Sequence, residues 1–142
     1  MSQENRKIAM LIDDDTLANY INSRLIERHL QSKPILYTDA KSALSQIRVW
    51  NNTDVKLLPS LIFLDIEMPI MNGWEFLEEF KKLPDTVLKK CKIIMLTTSI
   101  DEDDVKRAKS YDSVIDFISK PLTVHHFNEL FKIWNKVIFA DR

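Results

Sequence analysis

"SLIFLDIEMPIMNGWEFL", residues 60–77, changes character twice within one short stretch. Residues 60–65 are apolar on successive positions, as in a strand covered on both faces, and end in a carboxylate, Asp65. A short segment containing Pro69 follows, then Gly73 and a helical spacing over 73–83. A doubly covered strand leading into a helix is the unit of a parallel sheet, whose strands need crossover connections.

The same unit recurs on both sides. Strand-length apolar runs lie at 7–12 ("KIAMLI"), 34–38 ("PILYT"), 91–96 ("CKIIML") and 114–119 ("VIDFIS"). Helical spacing covers 16–30, with Leu17, Ile21 and Leu25 at i, i+4, and also 40–50, 101–110 and 123–139. Strand and helix alternating five times predict an α/β (βα)5 fold, a doubly wound parallel sheet with right-handed crossovers. Pro34 and Pro59 precede strands, Pro84 is read as closing a helix, and Thr123 stands at an N-cap position. Residues 51–59 read as a loop and 84–91 as a second connection. On the last helix Val124, Phe127, Leu130, Phe131, Trp134, Val137 and Ile138 form one stripe assigned to the core. Ile133 and Phe139 fall off that stripe and are candidates for a contact surface with a partner or a second copy.

The chain has 142 residues, so a single domain is expected over 1–142, with its core at about 6–139 and no output module. With 20 basic and 21 acidic residues the net charge is -1, which gives no general attraction to nucleic acid or membrane. No apolar run is long enough to span a bilayer and no secretory h-region follows the polar N-terminus, which points to a cytoplasmic protein. Cys91 is the only cysteine, excluding an intrachain disulfide, and is read as a packing residue at a strand start. Gly73 is the only glycine, which excludes a glycine-rich phosphate loop and leaves the turns to Asn, Asp, Ser or Lys.

In open α/β sheets the working crevice lies beyond the carboxyl ends of the strands. There the first strand delivers Asp13, Asp14 and Asp15, the third Asp65, the fourth Thr97 and Thr98, and the fifth Ser119, Lys120 and Pro121. Clustered carboxylates repel unless one takes up a proton or a cation enters, and a hard divalent ion such as Mg²⁺ suits an all-oxygen set. A carboxylate beside such an ion can attack phosphorus and form an aspartyl phosphate, with Lys120 and the Thr97 hydroxyl neutralising charge. Asp15 is read as a helix cap. His29, His125 and His126 lack metal-ligand spacing and are read as surface or boundary residues.

Four ordered motifs carry a family resemblance: "DDD" at 13–15, "LDIEMPIMNGWEFL" at 64–77, "MLTTS" at 95–99 and "FISKPL" at 117–122. Over nearly its whole length the chain resembles the receiver domains of two-component response regulators, including stand-alone chemotaxis regulators. The resemblance implies a flavodoxin-like sheet of strand order 2-1-3-4-5 and Mg²⁺ (or Mn²⁺) as cofactor. It implies Asp65 as phosphoacceptor, with Asp13, Asp14, Asp65 and the backbone carbonyl of Glu67 around the metal. Lys120 would contact the phosphoryl group, Thr97 would be the switch hydroxyl, Phe117 the aromatic switch residue and Pro121 a cis-proline. Phe117 stands where many members have tyrosine, Thr98 is bulkier than the frequent alanine, and Glu67 adds charge. Thr98 and Glu67 are therefore expected to tune the phosphoryl lifetime.

The expected function is phosphoryl acceptance from a histidine kinase or histidine phosphotransfer protein. The expected output is a protein partner reading the fourth helix, fifth strand and fifth helix. No nucleic-acid or membrane partner is expected, a homodimer is compatible with this reading, and the only catalysis is of the chain's own phosphorylation and dephosphorylation. Two alternatives stand beside it. One is a degenerate receiver acting by constitutive contacts. The other is a haloacid-dehalogenase-like phosphohydrolase with Asp13 as nucleophile and Asp15 as general acid, in which Leu17 departs from the motif.

Overall fold

A computed structural model describes residues 8–98 and 100–138, with side chains through Leu130 and at Lys132 apart from Ser99. The strands are β1 (Ala9–Ile12), β2 (Ile35–Tyr37), β3 (Leu61–Asp65), β4 (Lys92–Thr97) and β5 (Val114–Ser119). The helices are α1 (Thr16–Leu30), α2 (Ala40–Thr53), α3 (Gly73–Phe80), α4 (Asp85–Lys90), α5 (Glu102–Lys109) and α6 (Val124–Ile138). All strand pairs are parallel, in the order β2-β1-β3-β4-β5. Among the described residues no helix is long and apolar enough to cross a membrane.

Successive apolar residues in the strands serve opposite faces. Met10, Ile12, Ile62, Leu64, Ile93 and Met95 pack with residues of α2, α3, α4 and α5, including Leu44, Phe76, Val87 and Ala108. Ala9, Leu11, Leu61, Phe63, Ile94 and Leu96 pack with Ile26 and Leu30 of α1 and Phe127 and Leu130 of α6. A fully buried Leu, Ile or Phe contributes about 1.5–3 kcal/mol, so this two-sided burial is what holds the sheet between its helices. A register shift opposite Ile93 and Ile94 inserts one residue into β5, after which Thr97 pairs with Ser119.

With one glycine in the chain, acidic and amide side chains start four of the helices. Asp15, Asp39, Asn72 and Asp101 each accept a hydrogen bond from a first-turn amide of α1, α2, α3 and α5. Asn72 and Glu75 complete a reciprocal capping box. Among the described residues the left-handed backbone positions fall to Gln31 and Ile70, at φ 56° and 70°, neither of a type expected to make turns. Ile70 is 84% exposed, so little packing offsets the clash of its branched Cβ. Ile70→Asn should therefore raise stability by about 1 kcal/mol. An unchanged or lower urea midpoint would show that this backbone carries no strain.

Several expectations need correction. The 84–91 connection contains α4, and Pro84 opens that helix instead of closing the preceding one, which ends at Phe80. Residues 51–59 include the last turn of α2 and a 3-10 turn, Val55–Leu57. On α1, Leu17 and Ile21 face solvent, while Asn19, Asn22, Ile26 and Leu30 face inward. Val124 is also exposed instead of joining the core, although Phe127 and Leu130 are buried there as expected. Phe139 and the side chain of Ile133 lie outside the described residues, as do the side chains of Phe131, Trp134, Val137 and Ile138.

Candidate functional site

Parallel pairing brings the carboxyl ends of β1, β3, β4 and β5 to one edge of the sheet. Backbone bonds set its height: the Asp13 amide donates to the Tyr37 carbonyl at 3.1 Å, Ile66 to Leu96 at 3.1 Å and Lys120 to Thr97 at 2.6 Å. Asp13, Asp65 and Thr97 are buried at this edge, whereas Asp14 and Thr98 are exposed.

Lys120 joins the strands chemically. Its ammonium donates to Asp13 Oδ2 at 2.8 Å and lies 3.1 Å from Asp65 Oδ1. Its side chain is only 17% exposed, so this is a sheltered ion pair and not a surface one. The Lys120–Pro121 peptide bond is cis. Burial lowers the Lys120 pKa, but the hydrogen bond to Asp13 and the charges of Asp65 and Asp13 outweigh it and raise the pKa above its ordinary value. Burial, reinforced by the Asp13 charge, pushes the Asp65 carboxyl up to about 6 against the opposing effects of Lys120 and the Glu67 amide. The Glu67 N–H donates to Asp65 Oδ1 at 3.4 Å, and the Glu67 side chain points into solvent.

One carboxylate oxygen from each of Asp13, Asp14 and Asp65 lies within 4.8 Å of the others. Two acids are buried and one exposed, all donors are oxygen, and the one ammonium, that of Lys120, is shared by Asp13 and Asp65 and leaves Asp14 unpaired among the described residues. That donor set fits a hard divalent ion, which prefers carboxylates and water.

The loop between Asp65 and α3 is set by Gly73. Its amide donates to the Ile66 carbonyl at 2.8 Å. A Cβ there would stand 2.8 Å from Ile66 Cα and 2.9 Å from the Asp65 carbonyl oxygen. The next residue, Trp74, is covered by the Arg107 guanidinium, 4.4 Å from its ring, which ties α3 to α5.

Of the residues selected from sequence, the structure brings Asp13, Asp14, Asp65, Thr97 and Lys120 to one edge. Phe117 is half-buried in β5 and packs on the α2/α3 face. Asp15 accepts from the Leu17 and Ala18 amides at 3.0 and 3.2 Å, as a helix cap should. None of the three histidines joins the cluster of Asp13, Asp14 and Asp65: His29 stacks on Phe127 at 4.5 Å, and His126 accepts the Thr123 amide at 3.0 Å. Burial pushes the Cys91 thiol up to about 12, consistent with a packing residue. Sequence reasoning missed Asn19, whose buried side-chain amide reaches the Asp13 carbonyl. The available signal was the pair Asn19 and Asn22, polar residues one turn apart on the face that Ile26 continues.

A parallel five-stranded sheet with this acidic edge, basic partner and hydroxyl defines a class of protein. The chain belongs to the response regulator receiver domain family, whose model matches residues 9–132. Among its relatives is response regulator Rcp1 of Synechocystis sp., 32% identical over 112 residues, covering 74% of this chain and 72% of that one. A two-component response regulator of Cytophaga hutchinsonii has a crystal structure that matches with TM-score 0.81 at 30% identity, covering 91% of this chain and 97% of that one. Rcp1 has also been solved in a Mn²⁺-bound form, which matches with TM-score 0.65 at 26% identity over 91% of this chain and 92% of that one.

Proposed function

We propose that this protein accepts a phosphoryl group on Asp65 from a histidine kinase or a histidine phosphotransfer protein, and that a second protein reads the change. The observation that carries the proposal is Lys120 bridging Asp13 and Asp65 at the sheet edge, beside Thr97. In the transfer an Asp65 oxygen forms a bond to phosphorus as the phosphorus–nitrogen bond of the donor phosphohistidine breaks. The electron pair of that bond returns to the leaving imidazole, which ends neutral or takes a proton from solvent. Lys120 and the Thr97 hydroxyl are the groups that would contact the new phosphoryl oxygens. Asp13, Asp14, Asp65 and the backbone carbonyl of Glu67 are the groups that would hold Mg²⁺ or Mn²⁺. Bound there, the ion offsets carboxylate charge and polarises the transferring group.

The readout belongs to α5, β5 and α6, with Phe117 on β5 reporting the state by ring burial and Thr98 and Glu67 adjusting the phosphoryl lifetime. Ile133 and Phe139, which fall off the apolar stripe in the sequence, are candidates for contact with that partner. Asp15 is occupied as the α1 cap, which weighs against the phosphohydrolase alternative, where it would serve as a general acid.

The test is the intact mass of the protein after incubation with Mg²⁺ and acetyl phosphate. Wild type should gain one phosphoryl group and Asp65→Asn none. Because burial and Asp13 disfavour the charged Asp65, Asp65→Asn should also stabilise the metal-free protein at pH 7.5, by about 1 kcal/mol. No adduct on wild type, with a control receiver labelled in parallel, would leave the constitutive binding module as the better reading.

A further inference from the structure

We infer that Asn19 is a positioning residue for the acidic edge: its amide anchors the peptide that joins Asp13 to Asp14, and so sets where the Asp14 carboxylate stands. This rests on the reading above of Asp13 and Asp14 as the groups that hold a divalent ion.

Asn19 lies on the inward face of α1 and is 4% exposed. Its Nδ2 donates to the Asp13 carbonyl at 2.8 Å. A carbonyl can only accept, so the amide must turn its nitrogen toward Asp13 and its oxygen away. That Oδ1 is buried and has no hydrogen-bond partner among the described residues. A buried acceptor without a donor opposes folding, so packing alone does not account for an asparagine at this position.

The geometry of Asp13 shows what the amide does. Its N–H is held by Tyr37, its Oδ1 by the Asp15 amide at 2.9 Å and its Oδ2 by Lys120 at 2.8 Å. The carbonyl is the remaining polar group, and Asn19 holds it. The exposed Asp14 side chain makes no hydrogen bond or ion pair among the described residues, so its position follows from its backbone. The Asp13–Asp14 peptide is the part of that backbone fixed by Asn19. Groups that orient metal ligands from behind commonly change metal affinity by 10- to 100-fold when removed.

Asn19→Leu separates positioning from packing. It removes the donor and the unpaired Oδ1 together and leaves the Asp13 carbonyl unpaired instead, so each protein carries one buried unpaired acceptor. The full-length chain is titrated with MgCl₂ by calorimetry, and its melting temperature is measured in EDTA. The expected result is a Mg²⁺ dissociation constant raised about tenfold with a metal-free melting temperature close to wild type. Asn19→Ser, too short to reach the carbonyl, is measured alongside so that a folding failure in one variant leaves the other. Unchanged affinity in a folded variant overturns the assignment, as does a loss of affinity that only tracks a lower metal-free melting temperature in both variants. Absence of Mg²⁺ binding by wild type would instead remove the metal site, and this assignment with it.

Discussion

Lys120→Met should lower the stability of the metal-free protein at pH 7.5 by about 3 kcal/mol, which is roughly 10 °C in melting temperature. Methionine keeps most of the length of the lysine side chain and removes only the charge. Asp13 and Asp65 would then face each other, both buried, without the ammonium that lies 2.8 and 3.1 Å from them. Removing one partner of a sheltered ion pair costs more than the pair contributes, because an uncompensated charge is left behind.

The pH dependence gives this prediction its sign. Asp65 has a folded pKa of about 6, above the ordinary 3.8, so the folded chain binds its proton more tightly than the unfolded chain. Its effect on metal-free stability is therefore unfavourable above pH 6 and fades as pH falls from 6 toward 4. Lys120 has the opposite character: its pKa is raised, so its stabilisation is complete below the ordinary lysine value and lost only in stronger alkali. Lys120→Met should accordingly lose less at pH 5 than at pH 7.5, and added Mg²⁺ at pH 7.5 should recover part of the loss. Thermal melts at the two pH values, in EDTA and in Mg²⁺, measure this directly. Equal losses at both pH values would mean that Lys120 acts by packing its methylene chain and not by its charge.

Gly73→Ala is the second large effect, and two opposing terms decide it. Gly73 is the first residue of α3, where alanine is the better helix former by at most about 1 kcal/mol. Against this, the added Cβ would meet the Ile66 Cα at 2.8 Å and the Asp65 carbonyl oxygen at 2.9 Å. Both are backbone atoms that cannot rotate aside, so α3 or the end of β3 must move. Overpacking of this kind costs about 1–3 kcal/mol, and the steric term wins. The displacement also falls on the residue proposed to accept the phosphoryl group. Urea unfolding should therefore show a lower midpoint, and labelling by acetyl phosphate should slow in the fraction that remains folded. A variant as stable as wild type and labelled at the same rate would show that the close approach is not a constraint.

The legible parts of the chain were those where one local rule governs. The unbroken apolar runs of β1, β3 and β4 gave a buried parallel sheet. The order of these strands and of β5 in the chain then brought Asp13, Asp65, Thr97 and Lys120 to one edge without reference to any side-chain contact. Asp15 read as a cap because an acidic residue before a helix has a local reason to be there.

The illegible parts depended on contacts distant in sequence or on elements too short for a period. Six residues with only Val87 buried left α4 without a helical signature. The inward face of α1 could not be read from its apolar spacing. Leu17, Ile21 and Leu25 make a fair apolar stripe, yet the cap at Asp15 and the hook from Asn19 to Asp13 rotate Leu17 and Ile21 outward. Val124 was read into the core stripe by spacing alone, whereas burial in α6 begins with Phe127. Ile70 showed no sign in sequence of its left-handed backbone, because nothing about isoleucine favours it.

The division of the helices between the two faces of the sheet has a mechanical consequence. The segments after β1 and β5, which carry Asp13 and Lys120, run into α1 and α6 on one face. Strands β3 and β4, which end in Asp65 and Thr97, lead into α3 and α5 on the other. The four chemical groups thus form a clasp across the rim of a three-layer sandwich, two of its arms rooted in each outer layer. On the function proposed above, a phosphoryl group gained in that clasp would act on both layers together across the sheet between them.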